Sequence, residues 1–277
     1  MTIPRRDVDF DFDAATVPRD WCADDAYETT MMNALSLLFP EGERFFVDSV
    51  KQHKELVTDP ELATAVAGFI GQEAMHGREH RAFNDMLVAH GYDAAPKVDA
   101  WLRGFLGRVR TVLSPTSQLA ATCALEHFTA MLAEQLLNKP GMRDELHPSI
   151  RPLWLWHALE ESEHKSVAFD VYRAANGGYA RRAGIMLLTT AVFAAVQTLV
   201  HARLMAKRGI LLRPWRWVHG VARMWLWPGF FLRLVPGYLA YFRPGFHPSD
   251  RDTAALVAHW QDQIFLPAMS KVDVPLA

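Results

Sequence analysis

Apolar residues recur every three or four positions along most of the chain, which is the periodicity of an amphipathic helix. This pattern extends over six segments before residue 176, which are 25–38, 40–56, 60–90, 96–113, 116–138 and 148–175. Asp59-Pro60 and Ser114-Pro115 each combine a capping side chain with a proline in the first turn, as at many helix starts. The sequence therefore predicts an all-α fold.

Pro40 and Gly42 interrupt the first of these patterns. Proline is favoured in the first turn of a helix and disfavoured inside one. We therefore expect one helix to end near Leu38 and a second helix to begin at Pro40. Residues 1–23 lack the helical pattern, and we expect them to form an irregular arm that lies over the helices.

Two short motifs within the helices carry metal-binding chemistry. Glu73 and His76 form one Glu-x-x-His motif, and Glu161 and His164 form another. Positions i and i+3 of a helix share one face, so each motif directs a carboxylate and an imidazole to the same point. A four-helix bundle that holds two iron or manganese ions takes such a motif from two helices and one glutamate from each of the other two.

A single glutamate precedes each motif by a similar distance. Glu43 lies 30 residues before Glu73, with Glu41 as the alternative. Glu126 lies 35 residues before Glu161, in an otherwise apolar helix. Burial of four carboxylates with several imidazoles is costly unless cations neutralise them. The pattern therefore predicts a two-metal site, and its alternative is a solvated charged helix face.

Three further polar residues lie beside the motifs. His157 precedes Glu161 by four residues and shares its face, so it is either a further ligand or a hydrogen-bond partner of a ligand. Glu160 lies on a neighbouring face of the same helix. His80 follows His76 by one turn, and we expect it to hydrogen-bond to a ligand rather than to bind metal.

The order of these residues resembles that of the ferritin-like di-iron carboxylate proteins. The spacing His157-x-x-x-Glu161-x-x-His164 is similar to that of the arylamine N-oxygenases. Three strings resemble the bacterial family described as predicted metal-dependent hydrolases, and they are Phe39-Pro40-Glu41-Gly42-Glu43-Arg44-Phe45-Phe46, Gln72-Glu73-Ala74-Met75-His76 with Glu79-His80, and Trp156-His157 with Glu160-Glu161-Ser162-Glu163-His164-Lys165.

The resemblance implies a ferritin-like four-helix bundle over residues 24–177. The expected metal ligands are Glu43, Glu73, His76, Glu126, His157, Glu161 and His164. Carboxylates and imidazoles without thiolates suit two iron ions, with manganese or zinc as alternatives.

Three functions are compatible with such a site. The first hypothesis is a di-iron oxidoreductase or oxygenase acting on an apolar or lipid-like substrate. The second is a metal-dependent hydrolase in which two metals activate water, and the third is a non-catalytic metal-binding protein. The chain lacks a glycine-rich nucleotide-binding motif, so oxygen chemistry would take its electrons from a donor protein or from the substrate.

The overall composition indicates the class of protein and its cellular compartment. Half of the 277 residues are hydrophobic, which is enough to bury a large core. The net charge of −2 gives no indication of a nucleic-acid partner. Two cysteines cannot build a disulfide framework or a zinc–thiolate site, which favours a reducing, cytoplasmic setting. Residues 1–13 do not resemble a secretory signal.

Composition changes sharply after residue 177. Residues 178–246 contain no Asp or Glu but ten Lys or Arg, and residues 183–200 are uncharged. We expect extra hydrophobic helices here that contact the inner face of a membrane, because tryptophans and arginines alternate beyond the uncharged run. The alternatives are a membrane span and a soluble helical layer. Residues 247–277 are expected to form a last helix to about residue 266 and a loose tail.

Overall fold

Helices make up most of residues 3–226 and 229–269, which the computed structural model describes. They are α1 (Ala26–Lys51), α2 (Pro60–Ala89), α3 (Ala95–Val112), α4 (Pro115–Asn138), α5 (Pro140–Asp144), α6 (Arg151–His164), α7 (Val167–Ala174), α8 (Tyr179–Lys207), α9 (Pro214–Trp225), α10 (Val235–Ala240) and α11 (Ala254–Met269). No β-strand occurs in the described ranges. The predicted all-α fold is confirmed.

The predicted break at Pro40 is wrong. Helix α1 continues from Ala26 to Lys51 with Pro40 inside it. Proline has no N–H, so the carbonyl of Ser36, four residues earlier, loses its backbone donor. The side-chain amide of Asn84 on α2 donates to that carbonyl at 3.1 Å. A contact from a distant helix therefore replaces the bond that Pro40 removes, and sequence periodicity alone does not reveal such a contact.

The helix predicted over residues 148–175 is divided in two. Helix α6 ends at His164, and α7 begins at Val167. Lys165 and Ser166 keep right-handed helical backbone angles, so the interruption is local. The Lys165 ammonium donates to the Thr253 hydroxyl at 2.8 Å and so connects this point to the segment before α11. Local irregularities in helices are frequent at functional sites.

Five helices surround one interior. Helix α1 packs against α2, and α4 packs against α6 and α7. Further contacts join α1 to α4 and α2 to α6. The helices that carry the predicted ligands are therefore neighbours, while the ferritin-like topology remains a prediction.

The segment before α1 lies over α2 and α6. Residues 3–23 have no regular helix. The Arg6 guanidinium forms ion pairs with Glu160 and Glu163 of α6 at 2.9 and 2.6 Å. The side-chain amide of Gln72 on α2 donates to the Pro4 carbonyl at 3.1 Å. These contacts fix the arm on the outer side of the helices that carry the two Glu-x-x-His motifs.

Helix α8 is long and apolar enough to cross a membrane by length and composition, with a mean hydropathy of 1.9 in its most apolar window. One of its faces packs on α1 and α4. On that face the Gln197 amide donates to the Met31 carbonyl at 3.0 Å, while Leu188 and Leu199 are exposed on the other side. Helix α11 extends beyond the predicted end near residue 266, and most of the predicted tail lies outside the described residues.

The buried His201 on α8 makes the packing against α1 sensitive to acid. Its Nε2 donates to the Tyr27 carbonyl at 3.2 Å, and burial lowers its pKa to about 4. The unfolded chain takes up this proton near pH 6.5, so folding stability falls as the pH drops from about 6.5 towards 4. His201 should therefore lower the free energy of unfolding by about 2 kcal/mol between pH 7 and pH 5.

Urea unfolding of wild type and His201→Gln at both pH values measures the contribution of His201 to this pH dependence. We expect the difference in unfolding free energy between pH 7 and pH 5 to be smaller in the variant. The exposed His219 on α9 provides the control, since His219→Gln should retain the wild-type pH dependence. Equal pH dependence in wild type and His201→Gln would contradict the prediction.

Candidate metal centre

All seven residues predicted as ligands meet in one buried space between α1, α2, α4 and α6. None of them is more than 4% exposed. Helix α1 contributes one residue, α2 two, α4 one and α6 three. We call these residues the carboxylate–histidine cluster, and they are Glu43, Glu73, His76, Glu126, His157, Glu161 and His164.

The cluster contains two groups that could each hold one metal ion. The first group is Glu43, His76 and His157, and the second group is Glu73, Glu161 and His164. The potential ligand atoms within each group lie within 4.8 Å of one another. Glu126 adjoins the second group, with one carboxylate oxygen 3.4 Å from the His164 Nε2.

Glu161 lies between the two groups. One of its oxygens is 2.9 Å from Nε2 of His157, which belongs to the first group. Its other oxygen is 3.5 Å from Nε2 of His164, in the second group. A carboxylate in this position can contact ions on both sides.

Many polar atoms of the cluster are buried without a hydrogen-bond partner. This applies to both carboxylate oxygens of Glu43, Glu73 and Glu126, to one oxygen of Glu161, to Nδ1 of His76 and to Nε2 of His164. One Glu73 oxygen and Nε2 of His164 lie 3.2 Å apart, but without the geometry of a hydrogen bond. Polar atoms inside proteins are nearly always paired, because their desolvation costs free energy. Mixed oxygen and nitrogen donors without thiolate suit iron, manganese or zinc, so the cluster fits divalent metal ions.

The outer nitrogen of each imidazole has a hydrogen-bond partner. The Nε2 of His76 donates to Glu160 at 3.1 Å, which leaves Nδ1 facing the cluster. The Nδ1 of His164 donates to the Gln72 side chain at 2.9 Å, which leaves Nε2 facing the carboxylates. Metal-binding histidines typically have such a partner, which fixes the tautomer and the ring orientation.

His157 has a histidine as its outer partner. Its Nδ1 is 2.6 Å from Nε2 of His80, and Nδ1 of His80 is 2.8 Å from the Ser36 hydroxyl. The Nε2 of His157 faces Glu161 at 2.9 Å and Glu43 at 3.8 Å. His80 and Glu160 thus lie outside the cluster, each within hydrogen-bond distance of one of its histidines.

The electrostatics of the cluster require positive charge. Burial raises the pKa of Glu43 and Glu126 well above the usual range, and repulsion by Glu161 adds to the shift. Burial alone would lower the pKa of His164, but Glu126 and Glu161 raise it well above the usual range. A proton on His164 is thus stabilised by the same carboxylates that would stabilise a cation.

Glu41, the alternative to Glu43, and Glu134 of α4 lie elsewhere. Glu41 forms ion pairs with Arg44 and, at 3.2 Å, with Arg103. It therefore points away from the cluster, and α1 contributes Glu43. Glu134 pairs with Arg251 at 2.5 Å.

Several residues that hold the cluster in place were missed by the sequence analysis. They are Arg6, Ser36, Gln72, Asn84 and Trp156. Gln72 directly precedes the first Glu-x-x-His motif, and this position was the one indication in the sequence that any of these residues lies near the cluster. Arg6 lies in the irregular arm, and Trp156 donates its indole N–H to Glu160 at 3.0 Å.

Residues 4–252 match a family model described as predicted metal-dependent hydrolase. The chain belongs to this family. No curated protein and no solved structure gave a match. The prediction of this family from three local strings is confirmed over most of the chain.

In this member of the metal-dependent hydrolase family, two apolar cavities adjoin the cluster. One has a volume of about 260 Å³ and is lined by His157 and Glu161. The other has a volume of about 560 Å³ and is lined by Glu43. Both also contact a common set of residues, which includes Leu35, Phe39, Leu132 and Phe193. An apolar molecule in either cavity would reach the carboxylates.

The cluster should destabilise the metal-free protein. A buried carboxylate either stays charged or must take up a proton that it would release on unfolding at pH 7, and both situations cost free energy. In the presence of a chelator, Glu126→Gln should therefore raise the midpoint of thermal unfolding by about 2–4 °C.

Glu134→Gln on the same helix is the matched control. Its carboxylate has the Arg251 guanidinium as a partner, so its replacement should leave the midpoint unchanged or lower it. A lower midpoint for Glu126→Gln under chelation would contradict the prediction.

Proposed function

We propose that the carboxylate–histidine cluster binds two divalent metal ions and that the chain is an enzyme acting on an apolar substrate. The observation that supports this most directly is the set of buried, unpartnered carboxylate oxygens and imidazole nitrogens, which face each other in two groups. Four ionised carboxylates and three neutral imidazoles also balance the charge of two divalent ions.

The two ions would be held by different sets of residues. The first set is Glu43, His76 and His157, and the second set is Glu73, Glu126 and His164, with Glu161 available to both. Two bound metal ions lower the pKa of a bound water and polarise a substrate oxygen. The chain itself contributes rigid ligand positions, because the outer nitrogens of the three imidazoles are held by Glu160, His80 and Gln72.

Hydrolysis is the reaction that we propose first, because the family description favours it. The cavities beside Glu43 and beside His157 are lined mainly by apolar side chains. They would hold the apolar part of a substrate and position its polar bond at the cluster. An ester or amide with a hydrocarbon chain has this combination of properties.

Oxidation by a di-iron centre is the second candidate. The donor set supports it, since iron in oxygen chemistry is commonly bound by carboxylates and imidazoles, and thiolates are absent from the cluster. The apolar surroundings would also exclude water from reactive species. This function would require an electron donor, which would be a partner protein or the substrate.

Metal analysis of purified protein tests the proposed site. We expect about two iron, manganese or zinc ions per chain. Glu161→Gln should reduce the content to one or fewer, because the carboxylate between the two groups is lost. Glu134→Gln should retain the wild-type content. A wild-type protein that binds no metal after exposure to each of the three ions would contradict the site.

The same preparations distinguish the two reactions. Chelator-sensitive cleavage of p-nitrophenyl esters, faster with longer acyl chains, supports hydrolysis. Dioxygen consumption by the ferrous-loaded protein, without ester cleavage, supports the oxidative candidate. In both cases Glu161→Gln should reduce the rate by at least about 100-fold, since it removes a group next to both ions.

A further inference from the structure

Helix α9 exposes an apolar face to solvent. Trp215, Val218 and Trp225 are 79%, 54% and 54% exposed. Their spacings of three and seven residues place them on one side of the helix. Leu212, just before the helix, is 91% exposed, and Leu226, just after it, is 62% exposed. Exposed apolar residues that cluster on one face, rather than being scattered singly, are typical of an interaction site.

The opposite side of α9 is fixed to the protein by ion pairs. Arg216 contacts Asp25 at 2.8 Å, and Arg223 contacts Glu28 at 2.7 Å. Gly220 lies so close to the Tyr27 ring that a Cβ atom there would collide with it. The helix is therefore oriented by its contacts with α1, and its apolar face points outwards as a consequence.

The charge around this face indicates what covers it. Residues 178–246 contain no acidic side chain and ten basic ones, and Arg213 and Arg233 are exposed near α9. A second copy of the chain would bring the same positive charge against this face, which disfavours a symmetric dimer. Exposed tryptophans beside the exposed Arg213 and Arg233 suit the headgroup region of an anionic bilayer.

We propose that the α9 face docks the protein on the surface of an anionic lipid bilayer. The cavity beside His157 and Glu161 is also lined by Met224 of α9 and by Phe230 and Phe231 of the following segment. An apolar substrate would thus pass from the lipid into the cavity. This last step rests on the proposed function, whereas the docking itself does not.

Contacts along α8 favour docking over a membrane span. The buried Arg182 donates to the carbonyls of Tyr241 and Arg243 at 2.5 and 2.8 Å. Farther along the helix, Gln197 donates to the Met31 carbonyl. A spanning α8 would have to break these bonds and leave polar groups in hydrocarbon, which is unfavourable.

Flotation with vesicles tests the docking. Wild-type protein should bind vesicles of phosphatidylcholine with 30% phosphatidylglycerol, and binding should weaken in high salt and with phosphatidylcholine alone. Trp215→Ser with Val218→Ser should weaken binding by about tenfold or more. Trp101→Ser with Val112→Ser, at exposed apolar positions of α3, should bind as wild type does.

The outcomes separate docking from catalysis. Metal content and cleavage of a water-soluble ester should be unchanged in the α9 double variant, so a failure of the proposed function would not affect the vesicle result. Wild-type protein that does not bind anionic vesicles would overturn the proposal. A dimer in solution that the α9 variant converts to a monomer, without vesicle binding, would instead assign this face to self-association.

A chain of hydrogen bonds leads from the Ser36 carbonyl, opposite Pro40, to His157. The Ser36 carbonyl, left without a backbone donor by Pro40, can only accept a hydrogen bond. The Asn84 Nδ2 must therefore face it, at 3.1 Å. This fixes the Asn84 Oδ1 next to the Ser36 hydroxyl, which donates to it at 2.8 Å.

The direction of the remaining bonds follows from that start. Having donated its proton to Asn84, the Ser36 hydroxyl accepts from Nδ1 of His80 at 2.8 Å. The Nε2 of His80 then has no proton and accepts from Nδ1 of His157 at 2.6 Å. Nδ1 of His157 is therefore a donor, and its Nε2 is the ring atom that faces the cluster, 2.9 Å from Glu161.

We infer that Ser36 and Asn84 are positioning residues that set the tautomer of His80 and so direct Nε2 of His157 at the cluster, and that Pro40 fixes the direction of the chain. Its role in metal binding rests on the proposed function, but the tautomer can be measured in metal-free protein. Nitrogen-15 NMR of the histidine side chains distinguishes the Nδ1–H form from the Nε2–H form.

We expect His80 in wild type to carry its proton on Nδ1, which faces the Ser36 hydroxyl. Ser36→Ala and Pro40→Ala should each populate the Nε2–H form, because the first variant removes the acceptor of His80 and the second restores a backbone donor that competes with Asn84. The buried Ser162, which donates to its own helix at 2.8 Å, provides the control, and Ser162→Ala should keep the wild-type tautomer.

Loss of metal is the second readout. Ser36→Ala should release metal to a chelator at least about tenfold faster than Ser162→Ala. If Ser36→Ala alters the tautomer but the wild-type protein binds no metal, the positioning role of Ser36 stands and the proposed function is contradicted. An unchanged His80 tautomer in both Ser36→Ala and Pro40→Ala would overturn this inference.

Discussion

Four carboxylates buried beside three imidazoles impose the constraint on which the rest of the structure depends. Glu43, Glu73, Glu126 and Glu161 come from four different helices and have few hydrogen-bond partners of their own. Such an arrangement is unfavourable unless positive charge is supplied. A site that receives cations explains three other features together. They are the outer hydrogen bonds of the histidines, the arm over α2 and α6, and the apolar cavities.

The residues of the cluster could be predicted from the sequence because the motif that identifies them lies within single helices. Glu-x-x-His at i and i+3 defines a shared helix face whatever the rest of the fold, and two similarly spaced copies indicate two helix pairs. Glu126 was identifiable as the isolated acid of an apolar helix. Glu43 and Glu41 could not be separated, because the difference between them is the distant Arg103, which pairs with Glu41.

The remaining features depend on contacts between distant segments. Pro40 was expected to start a helix, since nothing near it in sequence shows that Asn84 supplies the missing donor. The support of His164 by Gln72 and of Glu160 by Arg6 likewise joins residues far apart in the chain. Composition indicated a basic and aromatic C-terminal segment, but its orientation is set by ion pairs between α9 and the residues at the start of α1.

The function proposed for this protein requires that the cluster holds two metal ions at defined positions. Anomalous X-ray scattering from a crystal of metal-loaded protein would locate these ions. We expect two peaks about 3.5–4 Å apart, one surrounded by Glu43, His76 and His157 and the other by Glu73, Glu126 and His164. Peaks located outside the cluster, or no peak within it, would show that the cluster is not a two-metal site.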